Sequence, residues 1–459
     1  MRILRLSVGE RMRPIYILFY FSYRSVGGLW YWMRRRFTTP GLFVGAGFFL
    51  AGTTGLDIEN TVTYQSFTLL LALLTLSGAS CFFFRARFSA TRILPRVGTV
   101  GQPLHYRVQI KNLTAKVQQD LIFLENVVDP RPAFPEWLAF QMAENRRVRP
   151  FRMTRRRQRN PFRVAVAKAA EIPPLAANGE IEAGVELLPL RRGILRLAGM
   201  TVARADPFGL FRSFFKIHVA QMVLILPKRY SLPPITLPGS MRYQEGGVAL
   251  AANIGRSEEF VALREYRHGD PLRHIHWRSW AKVGKPIVKE FEDEFFVRHA
   301  LVLDTFDDEP NSDLLEEAVA VAASFACTVL TQESLLDLLF VGNQTYCFTA
   351  GRGLAHAEQM LEILASVKNC ADKPFTTLEQ LVLNHVAIVS GCICILQKWD
   401  EARQGLIKKL KALGVPLLVL IIVPPDVAIP GAAEILPAAA GRIQILEMGK
   451  IEATLARLQ

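Results

Sequence analysis

The chain has 459 residues, half of them hydrophobic, and a formal net charge of +14. That length gives room for two or three domains of about 100–200 residues each, and a mean hydropathy of +0.20 argues against a wholly soluble chain. The arginine surplus suits an anionic partner, and none of the six cysteines has C-x-x-C or zinc spacing, which leaves them as small hydrophobes of a reducing compartment.

The first element, "RPIYILFYFSYRSVGGLWYWMRRR" (13–36), mixes aromatics with arginine. Tyr and Trp favour the headgroup region and Arg favours anionic lipid, so residues 1–36 are expected to hold an interfacial helix rather than a span.

Two apolar stretches follow, Pro40–Leu56 and Phe67–Phe84. Each is near the length that crosses about 30 Å of hydrocarbon as a helix. The turn between them, "DIENTVTYQS", has no Lys or Arg, whereas Arg34, Arg35, Arg36, Arg85 and Arg87 lie on the outer flanks. The positive-inside rule puts both flanks in the cytoplasm. Residues 37–87 are therefore expected to form a two-pass hairpin in the inner membrane, with both termini cytoplasmic. "RRRF" also fits a twin-arginine export pattern, but the run after it lacks an A-x-A site and leads into a second apolar stretch, so no cleaved signal is expected.

From 91 to 228 the apolar period becomes two. "LHYRVQI" (104–110), "LIFLENVV" (121–128), "EIEAGVELLPL" (180–190), "ILRLAGMTVAR" (194–204) and "FKIHVAQMVLILP" (215–227) read as strands between Gly, Pro and Asn clusters. The pattern predicts an antiparallel β-sandwich without a long helix. One block interrupts it. Residues 146–163 carry nine arginines, among them Arg146, Arg147, Arg149, Arg155, Arg156, Arg157 and Arg159, and no acid. This reads as a self-repelling loop that either stays solvated or faces anionic lipid of the inner leaflet. With no aromatic stacking platform beside it, nucleic acid is not an expected partner.

Residues 229–298 read as a linker. After it, strand and helix patterns alternate over 299–459: "HALVLDT", the Ser-capped 312–332, "SLLDLLFV", "TYCFTA", "GCICILQ", "DEARQGLIKKLKALG" and "VPLLVLIIVP" among them. Alternation of this kind implies a doubly wound α/β sheet, with ligands beyond the carboxyl ends of its strands. Asp304 holds such a position.

The stretch "GRSEEFVALREYRHGDPLRHIHWRSWAKVGKPIVKEFEDE" (255–294) resembles the signature of the DUF58 family. The match runs through Glu259, Phe260, Leu263, Arg264, Tyr266, Gly269, Asp270, Arg273, Ile275, Trp277, Ala281, Val288 and Glu290. "ADPFGLFRSF" (205–214) is similar to the family's Asp-Pro-Phe-Gly-Leu element. The resemblance implies a von Willebrand A-like C-terminal domain and partnership with MoxR-class AAA+ ATPases. Many such domains hold a divalent cation through Asp-x-Ser-x-Ser; here Phe306 and Asp308 stand where the serines would be. A hard cation needs oxygen ligands, so no cofactor is expected. Asp304 and Asp308 are what remains of a ligand set, and with Asp307 they read as a solvated acidic loop or a partner contact.

Residues 263–277 gather three Arg, three His, a Glu and an Asp around Tyr266 and Trp277. No Cys accompanies the histidines, and a Ser279–His276 pair has no visible oxyanion hole or orienting group. The reading is a structural clamp between the sandwich and the α/β domain, with a clamp that also forms a docking surface as the alternative. Arg264, Arg267 and Arg273 pair with Glu265, Asp270 or Glu290, and Trp277 anchors the apolar side. The expected function is that of a membrane-anchored adaptor without catalysis. A metal-dependent or hydrolytic enzyme and an anionic-lipid or envelope organiser are the alternatives.

Overall fold

The computed structural model describes residues 13–54, 61–84, 86–129, 131–147, 162–233, 260–268, 270, 272–291, 298–307, 312–330, 335–350, 354–425 and 441–458. The chain divides into two compact units, which part between Lys228 and Arg229.

The first unit opens with three helices: α1 (Arg13–Arg36), α2 (Thr39–Thr54) and α3 (Thr61–Ser80). The face of α1 at helical spacing, Tyr16, Tyr20, Tyr23 and Gly27, is the less exposed one. It rests on α4 (Phe134–Arg147), where Tyr23 stacks on Trp137 and the Tyr20 hydroxyl donates to the Pro132 carbonyl at 2.9 Å. The rest of α1 is apolar and exposed, with Leu18, Phe19, Trp30 and Trp32 all more than half accessible. Helices α2 and α3 pack together: the Phe48 and Phe67 rings stack at 4.9 Å, and a Cβ at Gly52 would lie 3.3 Å from the Phe67 ring.

Val62–Phe83 is long and apolar enough to cross a membrane. The expected first span is shorter. Helix α2 has 16 residues, about 24 Å at 1.5 Å per residue, and residues 55–60 lie outside the described ones.

The sandwich has a four-stranded sheet, β1 (Phe88–Ile93), β3 (Leu104–Asn112), β7 (Glu180–Pro189) and β5 (Ala165–Ala167), in that order. The other sheet is ordered β2 (Val97–Thr99), β10 (Gln221–Leu226), β8 (Gly193–Ala205), β4 (Leu121–Val127) and β6 (Ala170–Ile172), with β9 (Arg212–Ile217) also on β8. Strict alternation along β3 buries Tyr106, Val108 and Ile110 and exposes His105 and Arg107, as the period of two requires.

The sandwich departs from the sequence expectation in four respects. Pairing is antiparallel except where β10 meets β2 in parallel, because β2 is a short edge piece reached by a long excursion. The run 215–227 is two strands broken at 218–220, not one. The first strand starts at Phe88, ahead of 91. A 14-residue helix, α4, interrupts the strands, and Arg146 and Arg147, read as loop, close it. Arg149, Arg155, Arg156, Arg157 and Arg159 fall outside the described residues.

An ion cluster crosses the sandwich core. Arg92 on β1 forks onto Glu125 on β4, Nη2 to Oε1 at 2.7 Å, with both side chains fully buried. The Tyr106 hydroxyl donates to the same carboxylate, and burial together with that negative charge pushes the phenol well above its ordinary range.

In the second unit, the region read as a linker is built structure. Strands β11 (Phe260–Glu265) and β12 (Ile287–Phe291) form an antiparallel ribbon, and α5 (Trp277–Val283) lies between them in sequence. Tyr230 is buried as well, its N–H donating to Ser324 Oγ at 2.7 Å.

The large sheet is ordered β15 (Thr345–Ala350), β14 (Leu335–Val341), β13 (Arg298–Leu303), β16 (Gly391–Leu396), β17 (Leu417–Val423) and β18 (Gly441–Glu447). All neighbours are parallel except β15, which is antiparallel at the edge. Every residue of β13, β16 and β17 is buried, which explains why β16, β17 and β13 after His299 are apolar without alternation. Among the described residues the unit also holds helices α6 (Asp313–Leu330), α7 (Leu354–Ser366), α8 (Thr376–His385), α9 (Glu401–Ala412) and α10 (Ile451–Leu455). Arg298, counted with the linker, opens β13 instead; its guanidinium forks onto the buried Asp337 at 2.6 and 3.0 Å.

Candidate functional site

Two places in the second unit that the sequence singles out, the signature ribbon and the end of β13, are each built on an Arg–Asp pair. The first is the signature ribbon. Arg264 on β11 points both terminal nitrogens at Asp270, at 2.7 and 2.8 Å. The Arg267 backbone N–H donates to the same carboxylate at 2.8 Å, and Asp270 N–H returns to the Arg267 carbonyl at 3.0 Å. Asp270 therefore ties a tight turn to the strand before it. The Arg264 fork, seconded by that backbone N–H, holds its carboxyl down at about 2.

The return leg is held by backbone. Tyr266 N–H donates to the Pro286 carbonyl at 2.9 Å, and His276 N–H to the Ile287 carbonyl at 2.8 Å. Ile275 bridges to Val288, and both are buried. Helix α5 then ends at Gly284, whose φ of +71° closes the C-terminus through a bond to the Trp280 carbonyl at 2.8 Å.

The apolar anchor is Ile275 with Val288, not Trp277. Trp277 is 64% exposed and stacks on Trp280 at 5.2 Å with a 17° tilt. Leu272 and Val283 are exposed beside them in sequence, as are Arg278, Lys282 and Lys285. The described part of this segment thus presents apolar surface together with excess positive charge. Ser279 Oγ lies 2.6 Å from His276 Nδ1, an i,i+3 contact in the first turn of α5. The Arg273 and Glu290 side chains and the whole of Glu259 lie outside the described residues.

The second place is the crevice at the carboxyl ends of β13 and β16, where the chain order of the sheet reverses and ligands of open α/β sheets usually bind. The expected solvated acidic loop is absent there. Asp304 is fully buried and Asp307 nearly so; Asp308 is outside the described residues. Asp304 accepts from Arg403 Nε at 3.1 Å and Nη2 at 3.3 Å, from Phe306 N–H at 3.0 Å and from Gln397 N–H at 3.2 Å. Arg403 also donates to Asp400 Oδ2 at 2.5 Å and to the Phe306 carbonyl at 3.1 Å, and lies 4.4 Å from the centre of the Phe375 ring. Asp400 caps α9, accepting the Arg403 N–H, so cap and guanidinium are positioned by one turn. Asp307 meets Lys398 at 3.3 Å.

Burial pushes the Asp304 carboxyl up, while the guanidinium and two backbone N–H groups pull it back. On Arg403 burial acts to lower the pKa, and the carboxylates of Asp304 and Asp400 outweigh it.

These residues do not fit a divalent cation. The oxygens that would bind one, on Asp304, Asp400 and the Phe306 carbonyl, are already donated to by Arg403. The Phe306 side chain meets Phe375 edge-on at 5.6 Å instead of offering an oxygen. Among the described residues no group of three or more His, Cys, Asp or Glu side chains is placed to hold a metal. Sequence reasoning passed over Arg403. The only signal was the helix-start pattern Asp400-Glu-Ala-Arg403, which places an arginine one turn from a cap but says nothing of the strand end it reaches.

Both places fall within one matched segment. Residues 262–435 match the profile of a family described as "Protein of unknown function DUF58". The DUF58-like segment spans the ribbon from β11 onward and the sheet through β17. An uncharacterized protein of Bacillus subtilis, YeaD, is 29% identical over 184 residues, which are 39% of this chain and 44% of that protein. The match thus spans less than half the length of that relative. Among solved structures, the CARDB domain of the PF1109 protein from Pyrococcus furiosus aligns with 31% of this chain and 91% of its own length, at 13% identity and a TM-score of 0.17. The PapD-like domain of human CEP192 aligns with 30% and 85%, at 8% identity and a TM-score of 0.17.

Proposed function

We propose that this protein is a membrane-anchored adaptor that works by protein contact. Helix α3 crosses the inner membrane and α2 pairs with it, so that both arginine-rich flanks lie on the cytoplasmic side. The sandwich and the α/β unit then face the cytoplasm. The strand order β15-β14-β13-β16-β17-β18, with one antiparallel edge, supports a von Willebrand A-like reading of the sheet. Arg403 in the crevice favours a docking role that needs no metal.

The observation that carries the proposal is the exposed Trp277 ring, stacked on a half-buried Trp280, on a segment pinned by Arg264 and Asp270. Exposed aromatics on a rigid frame are the residues that anchor interfaces, and the surrounding cations select an acidic protein surface. A MoxR-class AAA+ ATPase is the partner class that the family resemblance brings forward.

The test uses the full-length protein in nanodiscs and a purified ATPase of that class. Wild type binds, and the Trp277→Ala/Trp280→Ala double variant loses about thirtyfold in affinity, the size of one hot spot of about 2 kcal/mol. Equal binding by a folded double variant moves the docking face elsewhere. Binding to anionic vesicles but not to the ATPase would favour the lipid-organising alternative instead.

A further inference from the structure

The ends of the apolar helices are locked to one turn of the sandwich, the Asp206–Phe211 turn between β8 and β9. Asp206 accepts from the N–H groups of Phe208, Leu210 and Phe211 at 3.1, 2.7 and 2.7 Å, and from Ser77 Oγ on α3 at 2.5 Å. Thr38, just ahead of α2, donates its N–H to the Leu210 carbonyl at 3.0 Å. Phe37 bridges to Phe211, with ring centroids 4.5 Å apart. A Cβ at Gly41 would sit 2.0 Å from the Leu210 oxygen, so only glycine allows this approach.

The lengths then set a constraint. Helix α3 has 20 residues, about 30 Å at 1.5 Å per residue, which equals the hydrocarbon thickness of about 30 Å. Its last turn, with Ser77 fully buried, is already engaged by the sandwich. No helical length is left to hold the β8–β9 turn away from the bilayer. The side chains at this junction suit that placement. Phe208 at the tip of the turn is 45% exposed, and Phe82 and Phe83, just after α3, are 87% and 80% exposed. Arg34, Arg35 and Arg36 end α1, and Arg36 donates to the Arg212 carbonyl at the start of β9, at 3.0 Å. Aromatic tips with arginines beside them match the headgroup region.

We infer that the β8–β9 turn and Phe82–Phe83 form a lipid-contacting collar: Phe208, Phe82 and Phe83 enter the headgroup–acyl boundary of the leaflet on the sandwich side. The sandwich lies on the bilayer and does not hang from it on a tether. This rests on the membrane reading above, and its test separates the two.

Nitroxide labels are placed singly at Phe208→Cys, Phe82→Cys and Leu69→Cys in a full-length background without the native cysteines, reconstituted in phosphatidylcholine–phosphatidylglycerol vesicles. Collision with oxygen and with a water-soluble nickel complex is then measured. All three labels are expected to lose nickel accessibility, with Leu69 the deepest. If Leu69 is in lipid while Phe208 and Phe82 collide with nickel as in water, the collar is wrong and the span stands. If Leu69 too is in water, the membrane reading falls and the collar with it. The Phe82 label reports independently should the Phe208 variant disturb the turn.

Discussion

The Arg264–Asp270 and Arg403–Asp304 pairs of the second unit use the same chemistry to opposite ends. Arg264–Asp270 is partly exposed and spans six residues of one turn; it shapes a surface. Arg403–Asp304 is buried and joins elements 99 residues apart; it fills the crevice a ligand would otherwise use. A forked guanidinium at a half-exposed turn leaves neighbouring aromatics free to meet a partner. The same fork beneath a sheet end turns a pocket into core. The sandwich repeats the second arrangement in Arg92–Glu125, where buried charge bridges two sheets.

The contrast is tested most severely at Arg403. Arg403→Ala leaves a buried carboxylate without its partner, and breaking such a pair costs about 3–5 kcal/mol; chemical denaturation should show that loss, and a cost below 1 kcal/mol would deny the pair its role as core. A close second concerns His299, also buried on β13. Burial lowers its pKa to about 4, below the ordinary 6.5. The unfolded chain then binds the proton first, so stability is complete above about pH 6.5 and falls as the pH drops toward 4, by up to about 3 kcal/mol at 1.36 kcal/mol per unit. The slope of stability against pH should flatten in His299→Phe.

In the first unit, Gly41→Val forces a Cβ onto the Leu210 carbonyl. Overpacking of this kind costs about 1–3 kcal/mol, and differential scanning calorimetry should place the loss in the sandwich transition. Arg264→Ala should cost least, about 1 kcal/mol or below, the scale of partly exposed ion pairs. Its pH signature is distinct. The depressed Asp270 pKa contributes order to the turn above about pH 4 that is lost as the pH falls toward 2, and amide exchange at Arg267 should report it. An Arg264 variant that destabilises as much as Arg403→Ala would erase the distinction between surface shaper and core.

The periodicities were readable because each obeys a local rule. Period two along β3 and the unbroken apolar runs of β16, β17 and the Ala300–Leu303 part of β13 announce one-sided and two-sided burial. The Ser cap at 312 is read from the residue itself, and Leu314 N–H does donate to its hydroxyl. Helix α4 was missed because it sits beside a run of arginine whose repulsion reads as loop, while the ring that docks it, Tyr23, lies far away in the chain. The linker reading of 229–298 failed because a two-stranded ribbon with a bulge carries little alternation of its own. At the candidate sites, the sequence offered three arginines and three carboxylates as partners, and only the fold selected Arg264 with Asp270. Trp277 could not be placed inside or outside, since Ile275 two positions earlier competes for the same anchoring role and wins it against Val288.

Sequence by itself determined the elements: apolar helices flanked by arginine, a two-layer β region, an alternating α/β region, and a signature dense in charge. Each follows from interactions a few residues apart, where spacing alone says which side chains share a face. Only the tertiary structure decided that Arg403 occupies the crevice beside Asp304, that Asp206 reaches Ser77, and that Trp277 faces outward. Those outcomes depend on which distant segment arrives first within about 3 Å of a buried oxygen, and a chain read in one dimension does not contain that distance.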